Sequence, residues 1–159
     1  MGEVKAMQTI MTSRKQVPAV FKKVSWVSGM RNLDMGAGRY PELFTEALAS
    51  VGVENHSYDP NNPFISQMPE GQFDTVTISN VLNVIDTWRG RISLVSGALS
   101  KAPVVYITVY EGDRSREGRE TRDGYQMNQP LRFYLDEIIE YFLFISIQMK
   151  NGVLTLGRI

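Results

Sequence analysis

The chain has 159 residues and a mass of 18.0 kDa, the size of one compact domain and too short for two ordinary ones. Its 43% hydrophobic and 10% aromatic content excludes a disordered tail. Equal numbers of basic and acidic residues, 17 each, exclude a strong basic field over the whole protein while leaving room for a local basic patch. With no cysteine, disulfides and thiolate metal sites are excluded, and a single histidine, His56, cannot build an imidazole cluster, so no metal site is expected. No apolar run is long enough to span a bilayer, and the opening MGEVKAMQTIMTSRK lacks the apolar core of a secretion signal. A soluble cytoplasmic protein with no membrane partner is the expectation.

From Pro18 to Trp26, Val20, Phe21 and Val24 alternate with Lys22 and Lys23 in a way that predicts a short amphipathic helix stopped by Gly29, so residues 1–29 form an N-terminal helical segment. Residues 31–35 (RNLDM) read as a strand. Pro41 to Ser50 reads as a helix with Leu43, Phe44, Ala47 and Leu48 inward and Glu42 favourably placed against the dipole. VENHSY, residues 53–58, reads as a second strand ending at Asp59-Pro60, and PNNPFISQMPEGQ as a loop. In FDTVTISNVLNVID a strand holding Val76 and Ile78 ends near Ser79 and Asn80. Asp86 or Thr87 then caps a helix from Trp88 to Leu99.

PVVYITVY, residues 103–110, is the strongest strand, nearly continuous and β-branched as expected of a parallel strand covered on both faces. The mixed-charge stretch from Glu111 to Gln129 reads as a long loop, and residues 131–142 as a helix. Two apolar strands joined through Asn151-Gly152 close the chain as a hairpin, since that dipeptide tolerates the positive φ angles of a tight turn. The alternation predicts an α/β domain with a mostly parallel sheet, helices on both faces and an antiparallel hairpin at the end. Ligands on such sheets bind beyond the carboxyl ends of the strands, where the winding reverses.

The turn NLDMGAGRYPELF, residues 32–44, lies at such an end. Gly36 and Gly38 supply unusual backbone angles and close approach to the main chain. A dinucleotide site calls for a third glycine at position 41, where this chain has Pro41, and Asp34 two residues before the first glycine would repel a pyrophosphate. A ligand carrying an ammonium and a sulfonium favours that acid, and S-adenosylmethionine (SAM) is the common cofactor of that description. Asp59 ends the second strand 21 residues after Gly38, where a carboxylate accepts hydrogen bonds from ribose hydroxyls of either nucleoside.

LDMGAG, YDP, FDTVTISNVLNVI and the final hairpin together resemble the class I SAM-dependent methyltransferases over roughly residues 30–159. More narrowly, TSRKQVP, SNVLNVID and YEGDRSREGRETRDGYQMNQP look like a subgroup of small methyltransferase-like proteins found in phages and beside DNA-modification genes. The resemblance implies a Rossmann-like fold in a single SAM-binding domain and a transferase that yields S-adenosylhomocysteine, with nucleic acid or a small molecule as acceptor. It implies cofactor contacts from Asp34, Gly36, Ala37, Gly38, Asp59 and Pro60, and cofactor or acceptor contacts from Ser79 and Asn80. The space between Asp59 and Phe73 is too short for the family's next helix and strand, so one edge of the sheet is expected to be trimmed.

Arg14, with Ser13 and Lys15, is a candidate to pair with the methionyl carboxylate, as a guanidinium matches a carboxylate in bidentate fashion; a solvated helix start is the plain alternative. Asn62-Pro63-Phe64 resembles an amino-methyltransferase motif but lacks its second proline and follows the wrong strand, which makes it a loop coincidence. His56 reads as structural. The loop of residues 111–129 is a substrate or lid loop or a solvent loop, since Arg114, Arg116, Arg119 and Arg122 are interleaved with Glu111, Asp113, Glu117, Glu120 and Asp123. Tyr110, Tyr125, Gln126 and Asn128, with Asn80, are the uncommitted polar candidates for gripping the acceptor. A SAM-binding regulatory or partner module without turnover is the second reading, and a nucleotide-binding protein of another kind the third.

Overall fold

The computed structural model describes residues 15–121 and 124–159. In chain order the elements are α1 (Val20–Lys23), β1 (Arg31–Met35), α2 (Pro41–Ser50), β2 (Glu54–Tyr58), β3 (Thr75–Ser79), α3 (Trp88–Lys101), β4 (Val104–Thr108), β5 (Arg119–Thr121), β6 (Gly124–Gln126), α4 (Leu131–Tyr141), β7 (Ile145–Lys150) and β8 (Val153–Arg158). A 3-10 turn, Leu82–Val84, follows β3.

Six strands form one sheet in the order β2-β1-β3-β4-β8-β7. The first four are parallel, β8 runs antiparallel to β4, and β7 returns along β8. The turn between β7 and β8 places Asn151 at φ 55° and Gly152 at φ 75°, the positive angles that a two-residue hairpin with the native strand twist requires. Thr87 caps α3, its side chain accepting from the Gly90 amide at 3.2 Å. β2 is an edge strand, with no further strand between Asp59 and Phe73, so the trimmed edge is present.

Successive side chains of a strand face opposite ways, and the two faces of this sheet differ. Leu33, Met35, Val76, Ile78, Val105 and Ile107 join Ile92, Val95 and Leu99 of α3 and Tyr134, Leu135 and Ile138 of α4 in the larger core. The opposite face carries Asn32, Asp34, Thr75, Thr77 and Tyr106. There a smaller cluster of Val20, Phe44, Leu48 and Val53 is extended by Trp26 and Tyr106.

Two sequence expectations change. The helix expected from Pro18 to Trp26 shrinks to Val20–Lys23, and Val24 is extended. Trp26 explains this: its indole Nε1 donates to the Phe21 carbonyl at 3.0 Å, and its ring sits edge-on to Phe44 and Tyr106, centroids 6.2 and 5.9 Å away. Those contacts draw the chain across the sheet instead of along a helix. The segment expected as one loop from Glu111 to Gln129 holds the β5–β6 hairpin, in register Arg119 to Gln126 and Glu120 to Tyr125. Its three-residue strands are too short to stand out as alternation in the sequence.

Candidate functional site

The glycine turn leaves β1 at the carboxyl edge of the parallel strands, between β2 on one side and β3 on the other. Chain winding reverses at this point, because β2 lies to one side of β1 and β3 to the other. The amides of Gly36 and Ala37 both donate to the Tyr58 carbonyl, at 2.7 and 3.0 Å, which folds the turn back over the end of β2. Gly36 has φ 85° and Gly38 φ 78°, angles that favour glycine. A Cβ at Gly36 would collide with the Val81 side chain, so the residue after Asn80 packs directly on the turn. Glycine at 36 is therefore demanded by the fold itself.

Two side chains from the loop after β2 fix Gly38. Asp59 Oδ2 accepts from the Gly38 amide at 2.9 Å, while its Oδ1 accepts from the Asn61 amide at 2.9 Å. Asn62 Nδ2 donates to the Gly38 carbonyl at 2.9 Å. Both side chains are buried. Asp59 thus braces the glycine turn, and each of its oxygens retains lone-pair capacity for a ligand hydroxyl. Asn62, which the sequence places in a coincidental motif, is a clamp on this turn, and the Asp-Pro-Asn-Asn run is the signal for it. Pro60 is exposed beside them.

Asp34 is 3% exposed, and its Oδ1 accepts from the Thr77 hydroxyl at 2.8 Å. Burial pushes this carboxyl up to about 7, the Thr77 bond opposes the rise, and the charge of Asp59 adds to it. Behind it a polar ladder crosses the sheet: Asn32 Nδ2 donates to Thr77 Oγ1 at 3.1 Å and to Asn55 Oδ1 at 2.9 Å, and Thr75 Oγ1 donates to Asn32 Oδ1 at 2.7 Å. This ladder escaped the sequence reading because its members are up to 45 residues apart.

At the end of β3, Ser79 Oγ is buried without a hydrogen-bond partner, and Asn80 is exposed with φ 58°. The Asn80 amide donates to the Thr108 carbonyl at 2.9 Å, tying this turn to β4. Arg14 and Ser13 lie outside the described residues, as do Arg122 and Asp123. Lys15 stands over the Tyr40 ring at 5.9 Å, close to the start of α2. His56 has its Nε2 3.2 Å from Glu54 and its ring edge-on to Phe73 at 5.4 Å.

The acceptor candidates divide. Gln126 and Asn128 are not uncommitted. The Gln126 amide accepts from Asn83 Nδ2 and donates to the Tyr110 carbonyl, both at 3.1 Å. Asn128, buried with φ 57°, donates to the Glu117 carbonyl at 3.0 Å. These bonds, with Met127 N donating to the Asn83 carbonyl at 2.8 Å, lash the 111–129 segment to the turn after β3. Tyr125 is half-buried, its hydroxyl so close over Gly118 that a Cβ there would not fit, and Tyr110 is 54% exposed.

No protein-family model and no curated protein matches the sequence. Among solved structures, an S-adenosylmethionine-dependent methyltransferase from Mesorhizobium loti aligns with TM-score 0.50 at 9% identity, covering 87% of this chain and 96% of its own. A SAM-dependent methyltransferase from Aquifex aeolicus aligns with TM-score 0.52 at 12% identity, covering 98% and 93%. The fold is that of SAM-dependent methyltransferases. The apo methyltransferase SibL, TM-score 0.50 at 14% identity, shares it over 88% of this chain, which spans about half of SibL, 52%. Within that methyltransferase fold, the glycine turn, Asp59 and the Ser79-Asn80 turn lie at the carboxyl ends of neighbouring strands β1, β2 and β3, at the reversal of the sheet.

Proposed function

We propose that this protein is a SAM-dependent methyltransferase, with the glycine turn and Asp34 holding the cofactor. The observation that carries the reading is the buried Asp34 beside the glycine turn, whose carboxyl burial lifts to about 7: a cationic ligand stabilises its charged form, whereas a pyrophosphate would be repelled by that form. The unpartnered Ser79 Oγ at the same carboxyl edge of the sheet is a further group awaiting a polar ligand. Gly36, Ala37 and Gly38 present main chain to the methionyl part, and Asp59 offers its remaining lone pairs to the ribose. Arg14 is the proposed partner of the methionyl carboxylate. The single-domain reading of residues 1–159 and a cytoplasmic setting belong to the same proposal.

SAM, when bound, supplies a methyl on a sulfonium that is displaced in line by the acceptor's nucleophile. What the chain contributes is alignment and exclusion of water, worth far more here than acid–base help. Asn80, Tyr110 and Tyr125 are the proposed acceptor contacts, and Gln126 and Asn128 position the segment that carries Tyr125. Both acceptor classes, nucleic acid and small molecule, fit this general reading, and the narrower phage and DNA-modification likeness keeps the former among them. The test is transfer of a labelled methyl from SAM across DNA, RNA and small-molecule acceptors. Transfer that Asn80→Ala or Tyr110→Phe reduces supports an enzyme. SAM binding with no transfer to any class, alongside a stable partner complex, supports a SAM-binding module instead.

A further inference from the structure

A cleft of about 570 Å³ opens at the carboxyl end of β4, between the Asn151-Gly152 turn and the start of the 111–129 segment. It carries two cations, Lys23 and Arg114, and one acid, Glu111. Both oxygens of that acid are committed: Oε2 accepts from the Leu131 amide at 2.7 Å, capping α4, and Oε1 pairs with Arg114 Nη2 at 2.9 Å. Arg114 is thereby neutralised. Neighbouring Asp113 is occupied by the Ser115 amide at 2.9 Å and by Arg119 at 3.3 Å. Lys23 is left as the cleft's one cation without a charged or hydrogen-bonding partner among the described residues. Its Nζ is held over the hairpin turn, where a Cβ on Gly152 would come within 2.9 Å of it. Val109 and Leu131 give the same cleft an apolar surface, and Tyr110 an exposed ring.

Resting on the methyltransferase reading, we propose that this cleft anchors the methyl acceptor as a small organic acid, its carboxylate paired with Lys23 and its body against Tyr110, Val109 and Leu131. One uncommitted cation matches one negative charge. A nucleic-acid strand is held by a row of cations along its backbone, which the cleft does not provide. The volume is that of a small-molecule site. β4 is two strand spacings from β1, about 10 Å, and the cleft lies at the same carboxyl edge of the sheet as the glycine turn.

The experiment is an NMR titration of the full, nitrogen-labelled chain with benzoate, phenylacetate and 4-hydroxybenzoate, each against its neutral amide, with S-adenosylhomocysteine titrated separately. The acids are expected to shift the amides of Gly112, Asn151 and Gly152 while the neutral amides leave them in place. Lys23→Gln should weaken acid binding about tenfold, the worth of one charge-assisted hydrogen bond; Lys23→Arg should retain it, and Lys150→Gln outside the cleft should change nothing. Equal binding of acids and amides, unchanged affinity in Lys23→Gln, or no shift with any acid overturns the proposal. So does an oligodeoxynucleotide that shifts these amides where the acids do not. Failure of S-adenosylhomocysteine to bind, with the acid response intact, counts against the cofactor reading and leaves the acid site standing.

Discussion

Asp34 holds its carboxyl inside the sheet against the Thr77 hydroxyl, where burial lifts it from the ordinary 3.8 to about 7. An acid whose folded value lies above its unfolded value binds more protons when folded. Stability therefore falls as pH rises from about 4 to about 7 and levels off above, by at most about 1.4 kcal/mol per pH unit for one proton. Asp34→Asn keeps an acceptor for Thr77 and removes the charge, so its urea midpoint should lose this fall and exceed the parent's above pH 7. A parent and variant with parallel pH profiles would show that Asp34 is not the strained acid. Asp59 sits differently: its two oxygens accept from the Gly38 and Asn61 amides, so its removal is expected to loosen Gly38 along with any ribose contact.

At the scale of elements, α3 and α4 are joined by a buried ion pair. Arg91 Nε and Nη2 meet Glu137 Oε2 and Oε1 at 2.9 and 2.8 Å, and Arg91 Nη1 donates to the Ile85 carbonyl at 2.6 Å. The side chains are 5% and 17% exposed, so desolvation is severe and the loss of one partner strands the other. Arg91→Met should cost about 3–5 kcal/mol in urea unfolding, and adding Glu137→Leu should recover most of it. A single variant within about 0.5 kcal/mol of the parent would contradict the pair's role. Sequence spacing groups Trp88, Ile92, Val95 and Leu99 on one face of α3; the last three are buried in the core while Trp88 is exposed, and the spacing carries no sign that Arg91 is buried, because its partner is 46 residues away. The same limit hid Asn62, Asn83 and the Thr77–Asn32 ladder. What the sequence did show were features fixed by local backbone chemistry: the glycine turn, the Thr87 cap and the Asn-Gly hairpin. Trp26 shows the converse, a local helical pattern overruled by distant aromatic contacts.

Over the whole molecule, the sheet pairs an apolar face under α3 and α4 with a polar face that leads Asn32, Thr77 and Asp34 to the glycine turn. The trimmed edge leaves β2 unpaired on one side, and its Glu54, Asn55, His56 and Ser57 are polar, as suits an edge that must not recruit another strand. In place of a further strand, the loop after β2 turns Asp59 and Asn62 onto Gly38, so the shortened fold still braces the glycine turn. The central claim is that this turn takes SAM and not a dinucleotide. Titration calorimetry of the full chain with SAM, S-adenosylhomocysteine and NAD tests it directly. Binding of SAM and S-adenosylhomocysteine at one site per chain, lost in Gly38→Val and with no heat from NAD, is the predicted result; NAD binding more tightly than SAM, or SAM binding unaffected by Gly38→Val, would contradict it.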